Sequence, residues 1–156
     1  MNSNTAPTDE ATDLRMMMLA LREARAALDE GEVPIGAVVA CGGRVLGRGH
    51  NLTEALTDVT AHAEMHAITA AARTLGGKYL RDCTLYVTVE PCLMCAGAIG
   101  WSQIGRVVYG ADDPRRGYRG LTRADRPALH PSTQVVGGLL ADEALSLLRS
   151  LFNSRR

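Results

Sequence analysis

Thr84-Leu85-Tyr86-Val87-Thr88-Val89-Glu90-Pro91-Cys92-Leu93-Met94-Cys95 is the stretch on which the reading of this 156-residue chain turns. Residues Thr84 to Val89 are almost all β-branched or aromatic, the composition of a strand covered on both faces. Pro91 suits the first position of a helix. That would set Cys92 and Cys95 three apart on one helical face. A buried strand followed at once by a helix carrying two thiols is the unit around which the remaining elements are arranged.

Upstream the chain is regular. Leu14, Met17, Met18, Leu21, Ala24 and Leu28 recur at spacings of three and four, which predicts a first helix ending at Gly31. Ile35 to Cys41 is short, apolar and rich in valine. Gly42-Gly43 is a two-residue hairpin signal, and Arg44 to His50 returns as the partner strand, its end loosened by Gly47 and Gly49. Asn51 opens a polar loop, where it suits either an Asx turn or contact with a ligand. Thr60 is a good N-cap for a second helix with His62 and Glu64 in its first turn and Met65, Ile68, Ala72 and Leu75 as its apolar stripe. Downstream, Ile104 to Tyr109 is a strand and Ala111 to Thr133 an irregular, arginine-rich segment. Gln134 to Val136 is a short strand, and Leu139 to about Phe152 a last helix. The order predicts a three-layer α/β/α sandwich with a mixed five-stranded sheet. Residues 1–11, rich in Asn, Ser, Thr and Pro, read as a flexible tail, and residues 12–156 as one domain. A hairpin start and the absence of a GxGxxG or phosphate loop argue against a doubly wound nucleotide fold.

Composition bounds the function. With 46% apolar residues the chain can bury a core without staples, and its formal net charge of zero removes the simplest argument for nucleic-acid binding. No apolar run is long enough to span a bilayer. Cys41, Cys83, Cys92 and Cys95 form no regular disulfide framework, and no apolar leader precedes them. A cytoplasmic, reducing setting is the expectation, in which CxxC points to metal or redox chemistry.

His62, Cys92 and Cys95 together make a donor set for zinc. A catalytic zinc takes three protein ligands and keeps one position for water, whereas a structural site needs a fourth. Cys41, Cys83 and His66 are the candidates for that fourth place. Cys83 reads better as a small buried hydrophobe. His66 lies one turn after His62, but the HExxH pattern would put the glutamate directly after the first histidine. Pro91 and the lack of a tryptophan context weaken a redox reading of the CxxC. Two thiolates and a neutral imidazole cancel the Zn²⁺ charge, so a bound water is acidified less than by three histidines. A nearby base is then needed, and Glu64 is the carboxylate placed to supply it.

The pair H-x-E and P-C-x-x-C is the signature of zinc nucleobase deaminases, and the chain resembles the cytidine deaminase-like superfamily. Within it, residues 14–156 are most similar to the bacterial tRNA-specific adenosine deaminases. The likeness rests on Glu32-Val33-Pro34-Ile35-Gly36-Ala37-Val38, Thr60-Ala61-His62-Ala63-Glu64, Thr84 through Cys92, Met94-Cys95-Ala96-Gly97-Ala98 and Leu140-Ala141-Asp142-Glu143. The resemblance implies one zinc per subunit on His62, Cys92 and Cys95, with Glu64 as proton shuttle. It implies hydrolysis of adenosine to inosine at the wobble position of a tRNA anticodon stem-loop, and a homodimer whose active sites the partner borders. Asn51 and Ala63 match substrate-contacting positions, and Leu151-Phe152 with Arg155-Arg156 resembles the family's RNA-contacting last helix. Two stretches depart from the family pattern. Asp58-Val59-Thr60 replaces Asp-Pro-Thr, and Asp112-Asp113-Pro114-Arg115-Arg116-Gly117-Tyr118-Arg119-Gly120 replaces a small Gly-Ala-x-Gly-Ser-like stretch that frames the substrate.

What enters the site is open at this level. The five arginines from Arg115 to Arg126, with Arg149, Arg155 and Arg156, read either as a phosphate-binding rim, Arg115 and Arg116 foremost, or as a solvated loop and tail. Tyr118 suits either stacking on a flipped base or anchoring its own loop. Trp101 reads as core or dimer contact. A deaminase of free bases or nucleosides, such as guanine or cytosine, would use the same metal site. A non-catalytic zinc module would have no use for Glu64.

Overall fold

The computed structural model describes residues 10–154. Helix α1 (Glu10–Asp29) leads into the hairpin of β1 (Gly36–Cys41) and β2 (Arg44–His50). Helix α2 (Ala63–Leu75), β3 (Thr84–Val89), α3 (Leu93–Ser102) and β4 (Arg106–Ala111) follow. A short α4 (Tyr118–Leu121), β5 (Gln134–Val136) and α5 (Ala141–Ser154) complete the chain. Of the tail expected over residues 1–11, residues 1–9 lie outside the described part, while Glu10 and Ala11 form the start of α1. Among the described residues no helix is long and apolar enough to cross a membrane.

The strands form one mixed sheet in the order β2-β1-β3-β4-β5. β1 pairs antiparallel with both β2 and β3, while β3, β4 and β5 run parallel. The period-two alternation of strand side chains divides the core. Val39, Leu85, Val87, Val107 and Tyr109 meet the helices α2 and α3 on one face. Val38, Ala40, Tyr86 and Val108 meet α1 and the start of α5 on the other. β3 is buried along its whole length, as a strand with helices on both faces must be. The result is the three-layer α/β/α sandwich. The hairpin turn is Gly42-Gly43, both at positive φ, the requirement of a primed two-residue turn.

The helix faces differ from the sequence expectation, and the reason is steric. In α1 the buried residues are Met16, Met17, Ala20, Ala24 and Ala27, while Leu14 and Met18 are exposed. In α2 they are Ala63, Glu64, Ala67 and Ala71, while Leu75 is half-exposed. Each helix turns its small residues inward because the strand beneath it offers glycine. A Cβ on Gly36 would strike the backbone of Ala20 and Ala24. A Cβ on Gly47 or Gly49 would strike the backbone of α2 between Ala63 and Ala71. Gly47 and Gly49 therefore do not loosen β2; they let α2 lie directly on it. Large residues on that face would hold the helix away from the sheet, so the alanine stripe is the packing stripe.

A polar link ties α1 to the parallel half of the sheet. Arg106 on β4 donates two hydrogen bonds of 2.7 Å to the two oxygens of Asp13, and the Tyr86 hydroxyl donates a third of 2.7 Å. The Arg106 and Asp13 side chains are only 16% and 14% exposed, so this pair is shielded from solvent screening as a surface pair is not. The Arg106 hydrogen bonds hold the Asp13 carboxyl below its ordinary value of 3.8, against burial and with help from Tyr86. Asp13→Ala should cost about 3 kcal/mol at neutral pH in a urea titration, because it strands the Arg106 charge. A carboxyl depressed by folding stabilises fully above its unfolded value, and the effect is lost as pH falls through the lower folded value. The stability gap between wild type and variant should therefore stay constant down to about pH 4 and close below it.

Candidate active site

His62 and Cys92 stand at equivalent places, each the extended N-cap residue of its helix, with φ −81° and ψ 155° for His62 and φ −72° and ψ 171° for Cys92. Thr60 is not the N-cap of α2: its N–H and hydroxyl both donate to Asp58 Oδ1, at 2.8 and 2.7 Å, closing an Asx turn before the helix. Nor does Pro91 open α3. Its carbonyl accepts the Tyr118 N–H at 2.9 Å, and Cys92 forms an isolated antiparallel bridge with Gly117. The chain thus stays extended past β3 through Glu90, Pro91 and Cys92 before the helix begins at Leu93. Cys95 follows in the first turn of α3. All three donors sit where unpaired backbone N–H groups favour negative charge.

The donor atoms converge. His62 Nδ1 lies 3.6 Å from Cys92 Sγ and 3.4 Å from Cys95 Sγ, and all three donor atoms lie within 4.8 Å of one another. Tetrahedral zinc, with Zn–N of about 2.0 Å and Zn–S of about 2.3 Å, requires N···S separations of about 3.5 Å. The residues present fit that ion. Cys41 and Cys83 lie apart from the group. Cys83 is buried in the core on the α2 and α3 face, and Cys41 packs against that core. Two of the donors are electrostatically coupled. A hydrogen bond from Cys95 and a further one from His62 bring the Cys92 thiol down to about 4, while its partner Cys95 is pushed strongly up. Together they hold one thiol proton, which a divalent soft cation displaces on binding. The hydrogen bond to Cys92 also raises the His62 imidazole.

Glu64 is buried, at 4% exposure, in the first turn of α2. Burial raises its carboxyl above the ordinary carboxylate range, the direction that suits a group which both takes and returns a proton. It opens, with His62, Ala63 and Cys92, into a cavity of about 710 Å³ that Val33, Ile35, Val89, Leu93 and Met94 make largely apolar. A volume of this size accommodates a nucleoside. Asn51 also lines it, and its Oδ1 accepts the Thr53 N–H at 3.2 Å. The Asx turn and the cavity position coexist, and the amide Nδ2 is left for a ligand.

The other expected contacts separate. Arg116 lines the cavity beside Asp113 and Leu121, but Arg115 does not. Tyr118 is buried at 7% exposure, which fits an anchor and not a platform for stacking. Phe152 lies on α5, 65% exposed and away from the cavity. Arg155 and Arg156 lie outside the described residues. Two of the loop arginines are paired with acids: Arg119 with the buried Glu90 and with Asp112, and the exposed Arg123 with Asp125. Trp101 is 86% exposed, so it is not core.

Sequence reasoning assigned no role to two buried carboxylates. Glu32 accepts the N–H groups of Glu54 and Ala55, fixing the loop after β2. Glu90 accepts from Asp113 and Arg119, fixing the loop after β4. The available signal was position: Glu90 follows a β-branched strand that reads as covered on both faces and precedes Pro91-Cys92, where an acid has no solvent to face.

Cys92→Ser and Cys95→Ser should each weaken zinc binding by on the order of tenfold or more. Cys41→Ser should leave it intact, and metal analysis after dialysis against a chelator distinguishes the three.

The chain matches the cytidine and deoxycytidylate deaminase zinc-binding region over residues 10–111. It is 46% identical over 142 residues to the tRNA-specific adenosine deaminase of Agrobacterium fabrum, covering 90% of this chain and 93% of that one. A solved structure from a study of A-to-I editing by tRNA:A34 deaminases at the wobble position superposes with a TM-score of 0.78 and 44% identity, over 86% of this chain and 99% of the other. A guanine deaminase from Nitrosomonas europaea superposes with a TM-score of 0.75 at 26% identity, over 88% and 83%. Donor geometry, fold and sequence agree: the chain belongs to the zinc-binding cytidine and deoxycytidylate deaminase family, on the branch of the tRNA-specific adenosine deaminases.

Proposed function

We propose that the protein is a zinc-dependent hydrolytic deaminase that converts adenosine to inosine at the wobble position of a tRNA anticodon stem-loop. The observation that carries the reaction is the meeting, in one apolar cavity, of the His62–Cys92–Cys95 donors with the raised carboxyl of Glu64. Zinc held by those three residues supplies Lewis-acid activation of a water. Glu64 would take a proton from the attacking water and deliver it to N1 of the purine as the C6–O bond forms. It would then take the proton left on the new C6 hydroxyl and deliver it to the exocyclic amine as the C6–N bond breaks, so that adenosine and water give inosine and ammonia. Asn51 Nδ2 donates to the nucleoside, the backbone at Ala63 borders the reacting end, and the apolar walls exclude bulk water.

The RNA substrate is favoured by identity of 46% and 44% to tRNA deaminases, against 26% to the guanine deaminase. It also accords with Arg116 at the cavity and with the exposed Arg115 and Arg126, which have no acidic partner among the described residues. Cytoplasm is the compartment this substrate implies. Glu64→Gln should keep its zinc and lose on the order of 10²–10⁴-fold in turnover. Inosine formation in an anticodon hairpin and ammonia release from guanine, cytosine and cytidine should be measured side by side. Release from a free base without inosine in the hairpin would overturn the RNA reading.

A homodimer is part of the same proposal. Leu93, Gly97 and Trp101 share one face of α3 at i, i+4 and i+8, and Leu93, Met94 and Trp101 are 46%, 37% and 86% exposed. Such a face without a partner is unusual for a monomer. Leu93 and Met94 also line the cavity, so a second subunit docked there would border the site. Trp101→Glu should shift the protein to monomer in sedimentation velocity, with a loss of turnover that tracks the monomer fraction.

A further inference from the structure

We propose that Glu90 is a positioning residue for substrate engagement: it sets the cavity wall that presents Asp113 and Arg116. The proposal rests on the deaminase reading above. Glu90 directly follows β3 and is 6% exposed, and both of its oxygens accept hydrogen bonds. Oε1 accepts the Asp113 N–H at 3.2 Å and Arg119 Nη2 at 3.3 Å, and Oε2 accepts the Arg119 N–H at 3.1 Å. Between those points Gly117 lies flat against the carboxylate, where a Cβ would overlap it. The wall is thus registered on Glu90 at Asp113, Gly117 and Arg119.

The registration reaches the cavity through one further link. Asp113 Oδ1 accepts the N–H groups of Arg115 and Arg116, at 3.1 and 3.0 Å. A shift of the Asp113 backbone relative to Glu90 therefore carries the Arg116 backbone with it. Asp113 and Arg116 both line the cavity, and they give its otherwise apolar wall an acceptor and a cation. Glu90 also borders the cavity, but both of its oxygens are turned to the wall, and its part is to hold that wall in place. On the other side it adjoins Pro91 and Cys92, whose own bonds to Tyr118 and Gly117 continue the same contact. One carboxylate fixes the distance between the metal-ligand loop and the wall that meets the substrate. Errors of about 1 Å in such placement cost on the order of 10²-fold in rate.

The test approaches this contact from both sides. Glu90→Gln keeps the shape but turns an amide toward N–H donors. Gly117→Ala keeps the charge but puts a methyl group where the carboxylate lies. With zinc content measured per subunit, both variants should retain the metal and keep kcat within about twofold, while KM for the anticodon hairpin rises on the order of tenfold. Arg116→Ala should raise KM too, and combined with Glu90→Gln it should add little, since both act through one wall. Unchanged KM in both variants overturns the proposal. So does a loss of kcat in proportion to zinc, which would make Glu90 a buttress of the ligand loop alone. If the wild type makes no inosine but deaminates a free base, the deaminase substrate was misread, and the same comparison on that base still decides the role of Glu90.

Discussion

The closeness of α2 to the sheet is the constraint on which the rest depends. Gly47 and Gly49 on β2 have no side chain toward the helix, and α2 meets them with the backbone of Ala63, Ala67 and Ala71 and the Cβ atoms of His66 and Ala70. The helix start is thereby held near the end of β3, and His62 Nδ1 comes within 3.6 Å of a sulfur thirty residues further along the chain. A leucine in either row would push the helix outward by more than the tolerance of a metal–ligand bond. The geometry of the zinc centre is therefore set by residues that carry no chemistry of their own.

Three buried carboxylates illustrate how environment assigns roles to one functional group. Glu32 and Glu90 are each surrounded by N–H donors, which satisfy the charge and convert it into loop anchorage. Glu64 lies under the apolar cavity floor with few donors, so burial dominates and its proton affinity rises. An acid rich in donors is a fixed strut; an acid short of them is a base waiting for a proton. The site needs both kinds, because a general base is useful only against a substrate held at a defined distance.

This division also explains what could be read from the sequence. The strands were legible because Val-rich and β-branched runs have few other fates, and the ligands because histidine and paired cysteines at those spacings have few other uses. The helix faces were not. A reading weighted by hydrophobicity finds Met17 and Ala24 but also takes Leu14, Met18 and Leu75, whereas close packing against glycine selects Ala20, Ala67 and Ala71. Helix starts were misplaced at Thr60 and Pro91 because their polar groups are taken by Asp58 and Tyr118, partners that local patterns do not reveal. The wall was illegible for a related reason. Asp113, Gly117 and Tyr118 are bound mainly through their backbones, and backbone bonds leave little trace in residue identity.

The bonds to Glu90 have a consequence for how such proteins diversify. The family match ends at Ala111, and the wall begins one residue later. Two of the three hydrogen bonds that Glu90 accepts from the wall come from main-chain N–H groups, which nearly every amino acid possesses. The joint therefore constrains the path of the segment but little of its spelling. Residues 112–121 can therefore change in sequence while the catalytic half stays in register. Substrate range is free to drift on a scaffold whose reaction does not.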